Sequence, residues 1–79
     1  MSNRQIIPGM RYRHFKGKDY TVLSLAEHTE TGEMLVIYRA EYGEHKFYAR
    51  PLAMFASEVD REKYPDVKQK YRFEPIEGM

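Results

Sequence analysis

Glycine-bearing turn strings cut this chain into runs of strand length. Lys16-Gly17-Lys18-Asp19, Thr29-Glu30-Thr31-Gly32 and Glu41-Tyr42-Gly43-Glu44 separate Met10 to Phe15, Tyr20 to His28, Glu33 to Ala40 and His45 to Arg50. The runs are rich in Tyr, Val, Leu, Ile and Thr, and the strings between them carry hairpin chemistry. That combination predicts an antiparallel meander. Pro51 lacks a backbone donor and should end the fourth strand. Leu52 and Phe55 lie three apart, the spacing of one helical turn able to plug the end of a bent sheet. Ser57 is positioned to cap a turn over Glu58 to Lys63, which Pro65 limits, and Val67 to Phe73 offers a last strand. The expected fold is all-β, a small SH3-like barrel of about five short strands with one short helical turn. Residues 9–76 form the domain, with residues 1–8 and 77–79 as tails.

Strand registers follow from collecting apolar residues on one face. Ala40 opposite His45 sets Tyr38 against Phe47 and Val36 against Ala49; Ala26 opposite Leu35 sets Leu25 against Val36 and Leu23 against Tyr38. The two hairpins then agree on a core of Leu23, Leu25, Val36, Tyr38 and Phe47, completed by Leu52 and Phe55. The opposite face, with Val22, Leu35, Ile37 and Tyr48, remains too apolar for plain solvent. It gives a reason to associate, which the charged residues Arg11, Arg13, Lys68 and Lys70 on both edge strands oppose. The balance favours a monomer slightly over a homodimer.

With 79 residues and no cysteine, the chain has one modest core and no disulfide or cysteine zinc site to support it. Seven tyrosines and four phenylalanines must supply most of the buried area. The longest apolar run, Met34 to Tyr38, is too short to span a membrane, and the first residues lack the apolar stretch of a signal peptide. These features suggest the cytoplasm. A net charge of +1 hides an uneven distribution: residues 1–26 carry +4 and residues 27–62 carry −4. Blocks of opposite sign on adjacent strands can cancel, or leave a basic patch suited to phosphate.

The three histidines, His14, His28 and His45, show no metal-ligand spacing, so no metal and no cofactor are expected. No serine sits in a nucleophile elbow, and no glycine cluster could cradle a phosphate. The signal above background is aromatic and basic. Tyr12, Arg13, His14, Arg39, Tyr48 and Arg50 combine ring faces with cationic groups and are the candidate ligand-binding residues. The plain structural alternative packs the tyrosines under neighbouring strands and pairs Arg13 and Arg50 with Glu41, Glu44 or Glu58.

The strings Arg11-Tyr12-Arg13-His14-Phe15-Lys16-Gly17, Val36-Ile37-Tyr38-Arg39-Ala40 and Arg50-Pro51-Leu52-Ala53-Met54-Phe55 resemble a family of small bacterial proteins, domain of unknown function 1653. The resemblance runs from about Pro8 to Ile76 and closes on Arg72-Phe73-Glu74-Pro75-Ile76. Here Tyr48 stands near a position where the family typically has tryptophan, and the link from Asp60 to Lys70 is longer. The resemblance implies a compact bacterial cytoplasmic domain of SH3-like shape and assigns no activity.

The expected function is a non-enzymatic binding module that uses the aromatic–basic face for a protein or peptide partner, with RNA or a nucleotide as the alternative ligand. A further alternative is an enzyme whose site forms between subunits, with a histidine and a glutamate as its acid–base pair. No membrane partner is expected.

Overall fold

A computed structural model describes residues 4–76. Five strands and one helical turn follow in the order β1 (Arg11–His14), β2 (Asp19–Glu27), β3 (Met34–Ala40), β4 (Phe47–Pro51), α1 (Leu52–Phe55) and β5 (Phe73–Pro75). All pairings are antiparallel, and the spatial order is β4-β3-β2-β1-β5. The all-β class, the strand number and the single helical turn match the sequence expectation. The expected tails fall partly on residues 1–3 and 77–79, outside the described residues. Within residues 4–8, Ile6 is buried in the core. No helix among the described residues is long and apolar enough to cross a membrane.

The sheet is open but strongly curled. Strands pair about 4.8 Å apart, so β4 and β5, at opposite edges, would stand roughly 19 Å apart in a flat sheet. Instead the Arg50 guanidinium carbon on β4 lies 5.5 Å from the centre of the Phe73 ring on β5. The Tyr38 ring on β3 lies 5.8 Å from the same ring. One cause of the curl is a bulge in β2, where the register against β3 shifts between Val22 and Ser24. An extra residue on one strand bends it and increases its twist.

The bulge also corrects the expected core. Ala26 opposes Leu35 and Leu25 opposes Val36 as expected, but beyond Leu23 it is Val22 that opposes Tyr38. Val22 is fully buried, Leu23 is half-buried and Leu25 is exposed. On β4 the register differs by one residue: Tyr38 opposes Tyr48 and Val36 opposes Arg50. The turn is longer than a tight hairpin, since Ala40 N–H donates to Lys46 O and both Gly43 and His45 take positive φ. A one-residue slip exchanges the faces of a strand. Phe47 is therefore 66% exposed, not in the core, and Tyr48 and Arg50 turn toward the inner face.

The core consists of Ile6, Tyr12, Val22, Val36, Tyr38, Phe55 and Phe73, with Met10, Tyr20, Leu52 and Ala56 packed against it. Phe55 enters from α1 and stacks on Phe73 with centroids 4.0 Å apart, while Tyr12 and Tyr38 meet Phe55 edge-on. Ser57 does not cap a following turn; its hydroxyl donates back to Met54 O (2.7 Å) and closes α1. The last strand is Phe73–Pro75, not Val67 to Phe73. Residues 67–72 are held irregularly: Gln69 Nε2 donates to Arg13 O, and Lys70 and Tyr71 N–H donate to a Glu74 carboxylate oxygen. These side-chain bonds take some backbone groups that a ladder would otherwise use, and the backbone pairing left to the segment is a single bridge of Tyr71 with Glu58.

Candidate functional site

The β1–β2 hairpin places the first part of the site. His14 ends β1 opposite Phe73, and its carbonyl accepts Gly17 N–H (2.8 Å), folding Phe15, Lys16 and Gly17 into a tight tip. Gly17 sits at φ 100°, a conformation open to glycine and strained for other residues. Alternation along β1 sends Tyr12 and His14 inward, Arg11 and Arg13 outward. The His14 ring stacks on Phe15 (4.4 Å) and meets the edge of Phe73 (4.9 Å). Its Nδ1 accepts Lys16 N–H at 3.1 Å. In the neutral ring that leaves the proton on Nε2, as a donor.

The sheet's curl brings β4 and the segment before β5 to this hairpin. His14, Phe15, Lys16, Arg50, Asp60, Lys63, Tyr64 and Arg72 line one cavity of about 270 Å³. Both arginines are fixed through Nε. Arg50 Nε donates to the Tyr38 hydroxyl (3.1 Å), and Arg72 Nε donates to the Ser57 hydroxyl (3.3 Å). Their terminal nitrogens make no hydrogen bond among the described residues, so each presents a positioned fork. Lys16 Nζ lies 5.6 Å from the Tyr64 ring centre, and that ring packs against Phe15 at 4.9 Å. Among the described residues, none of these four cations has a carboxylate within ion-pair distance. The acidic residue lining the cavity is Asp60, whose Oδ1 accepts Glu62 N–H. Burial, then the charges of Arg50, Arg72 and Lys16, push the His14 imidazole down from 6.5 to about 4.

The outer face of the sheet is different. Arg13 donates from Nε and Nη2 to both Asp19 carboxylate oxygens (2.7 and 3.2 Å). Arg39 donates from Nε and Nη2 to Glu41 Oε2 (3.1 and 2.8 Å), and the Thr21 hydroxyl donates to the same oxygen. The Arg13 bond holds the Asp19 carboxyl below the usual carboxylate range, and Thr21 then Arg39 do the same for Glu41. These arginines are committed to structural pairs.

Of the six residues singled out in the sequence, His14 and Arg50 meet at the cavity. Arg13 and Arg39 lie on the outer face in ion pairs: Arg13 takes Asp19 and none of Glu41, Glu44 and Glu58, while Arg39, for which no pairing was expected, takes Glu41; Arg50 pairs with no carboxylate among the described residues. Tyr12 is buried in the core, where its hydroxyl accepts Ile7 N–H (3.1 Å). Tyr48 is 41% exposed beside Tyr38 on the β4 edge. Sequence reasoning missed Phe15, Lys16, Asp60, Lys63, Tyr64 and Arg72. Arg72 carried a usable signal, as the last of three cations at alternate positions (Lys68, Lys70, Arg72) leading into a strand, but Lys63 and Tyr64 come from a loop without periodicity.

The histidine–carboxylate pair of the enzymatic alternative is not formed at His14, whose Nδ1 is taken by Lys16 N–H. His45 Nδ1 stands 3.7 Å from Glu41 Oε1 on an exposed turn. Among the described residues no three His, Asp or Glu side chains are grouped to hold a metal ion. Two larger hollows, of about 400 and 410 Å³, flank Arg4 and Leu52. Their lining is mostly apolar, and Arg4 spends donors on Ala56 O and Phe73 O.

No match is found among curated proteins. A crystal structure of a protein of the DUF1653 family from Bordetella bronchiseptica is similar, with a TM-score of 0.75 and 30% identity over 95% of this chain and 92% of that one. The model of that family, described as a protein of unknown function, matches residues 10–75 and so takes in all five strands, the hairpin tip and Arg72. By sequence and by fold, the chain belongs to the DUF1653 family.

Proposed function

We propose that this chain is a non-enzymatic binding module, an SH3-like curled sheet that captures an anionic group in the cavity between the β1–β2 hairpin and Arg72. The observation that carries the reading is the contrast in pairing. On the outer face Arg13 and Arg39 have carboxylate partners, whereas Lys16, Arg50, Lys63 and Arg72 share one cavity with a single acidic residue. Unpaired like charges repel, so clustering them costs stability unless an anion completes the set. His14, with Nδ1 committed and no carboxylate beside it, suits hydrogen-bond donation better than proton transfer.

The test is a calorimetric titration of sulfate at two ionic strengths. Binding should weaken steeply as salt rises and should fall at least about tenfold in a Lys16→Gln, Lys63→Gln double variant, whose substitutions are exposed and leave the fold intact. Absence of sulfate binding at low salt, or binding that the double variant leaves unchanged, would refute the reading.

A second reading keeps a peptide partner. β4 is an edge strand with Phe47, Tyr48 and Ala49 exposed, and an extended peptide could add alongside it through main-chain bonds. Peptide capture there would be nearly indifferent to salt and would be lost in Phe47→Ser.

A further inference from the structure

The geometry points to a phosphate monoester carried on a flat ring, a mononucleotide in size and chemistry, as the ligand of the basic cavity; this rests on the anion-binding reading above. Four cations against one acidic residue leave an excess of +3 at the cavity wall. A carboxylate would neutralise one of those charges. A phosphate monoester carries close to two at pH 7 and offers three acceptor oxygens. The donors match that demand: two guanidinium forks held from behind at Nε, two ammonium groups, and the Nε2–H of His14. Forked donors suit the several acceptors of phosphate and lose little freedom when already positioned.

The remaining lining supplies the ring. Phe15 and Tyr64 border the same cavity as the cations and pack against each other. A base lying on either ring gains stacking that a sugar phosphate lacks. The volume, about 270 Å³, lies just under the usual range for small-ligand sites and suits one phosphate with its attached group better than a polymer strand. A phosphodiester within an RNA chain has one charge per phosphate and would leave most of the excess unmet.

The pH dependence of binding separates these ligands. The second proton of a phosphate monoester leaves near pH 6. Sulfate is a dianion throughout. The cavity's own charge is steady between pH 5.5 and 7.5, because guanidinium groups do not deprotonate and His14 is neutral above about 4.

The experiment is an amide-shift titration of the isotope-labelled chain at pH 5.5 and 7.5 with four probes: sulfate, ribose 5-phosphate, adenosine 5′-monophosphate, and an oligoribonucleotide without a terminal phosphate. Sulfate affinity should not change with pH. Both phosphate esters should bind about fourfold more tightly at pH 7.5, as their dianion fraction rises. The nucleotide should bind at least about fivefold more tightly than ribose 5-phosphate. Tyr64→Leu should remove that advantage, so that the nucleotide and ribose 5-phosphate bind that variant equally, and Lys63→Gln should weaken both. If sulfate binds but the esters show no pH dependence, or the nucleotide gains nothing over ribose 5-phosphate, the mononucleotide proposal fails and the anion cavity stands. If the oligonucleotide matches the nucleotide, the ligand is a nucleic-acid strand and the proposal fails. If no probe shifts the cavity residues, both readings fail together.

Discussion

Acid should weaken this fold through one side chain whose identity can be checked. The His14 ring lies against Phe15 and Phe73, in a cavity it shares with Arg50, Arg72 and Lys16. Burial first, then those three cations, lower its pKa from 6.5 to about 4. For a base, a lowered value in the folded state means that the unfolded chain binds the proton more tightly. Stability then rises with pH between the two values. The His14 contribution is complete above pH 6.5, is lost as pH falls from there toward 4, and is flat below. A fully enclosed ring with that difference would contribute about 3 kcal/mol. Part of the ring faces water, and screening at physiological salt reduces the figure to about 1–2 kcal/mol. The assay is urea unfolding at pH 7.5, 5.5 and 4.0, comparing the natural chain with His14→Gln. The natural chain should lose about 1–2 kcal/mol more than the variant between the first and last conditions, with an unchanged dependence on urea. Acid loss from Asp19 and Glu41, whose folded values are also lowered, is common to both chains and cancels in the comparison. A saturating anion should move the His14 midpoint upward, by partly neutralising the cations that depress it. A His14 resonance titrating near 6.5, or equal acid loss in both chains, would refute the electrostatic picture of the cavity.

Val36→Ala should cost about 1–3 kcal/mol in urea unfolding, since Val36 is fully buried in the same core cluster as Phe55 and Tyr38. Phe47→Ser should change stability by less than about 0.5 kcal/mol, and a loss above about 2 kcal/mol would restore the tight-hairpin register in which Phe47 is core. Gly17→Ala should cost about 1 kcal/mol or more, read as a lower melting temperature. The cause would be backbone strain at φ 100°, not crowding, because an added Cβ there meets open space. Tyr12→Phe should cost about 0.5–1.5 kcal/mol, because the Ile7 N–H loses its acceptor while the ring packing is kept.

The strand sequence was legible because turn chemistry and β-branched runs are local signals, and the element order follows them closely. Register was legible only where no irregularity intervened. Leu25 opposite Val36 was readable from alternation, but the bulge at Leu23 replaces one inward leucine with Val22, and both choices look equally apolar in sequence. The five-residue turn between Ala40 and Lys46 had a similar effect, because His45 at positive φ shows no glycine to betray it. Of the eight residues lining the candidate site, two were legible. His14 and Arg50 lie in strings dense with aromatics and cations. Their partners Tyr64 and Arg72 are placed by backbone bonds outside the strands, Tyr64 N–H to Asp60 O and Arg72 N–H to Ser57 O, and with Lys63 they belong to an irregular segment that leaves no periodic trace. Pairing of Arg13 with Asp19 depends on the β1–β2 register and that of Arg39 with Glu41 on alternation running past the end of β3, so charge counting alone could not separate the committed arginines from the others.

The open seam between β4 and β5 makes this scaffold divisible in evolution. Every pairing between the five strands uses residues 11–51 or 73–75, and a single bridge, Glu58 with Tyr71, ties the two ends of the link, whereas three of the cavity's lining residues, Asp60, Lys63 and Tyr64, belong to the link itself. Lengthening or shortening that link recuts the mouth of the cavity without disturbing a single ladder bond. The sheet is thus a frame held by its own ladders, and the link a separate lip whose length can change while the strand pairings stay as they are.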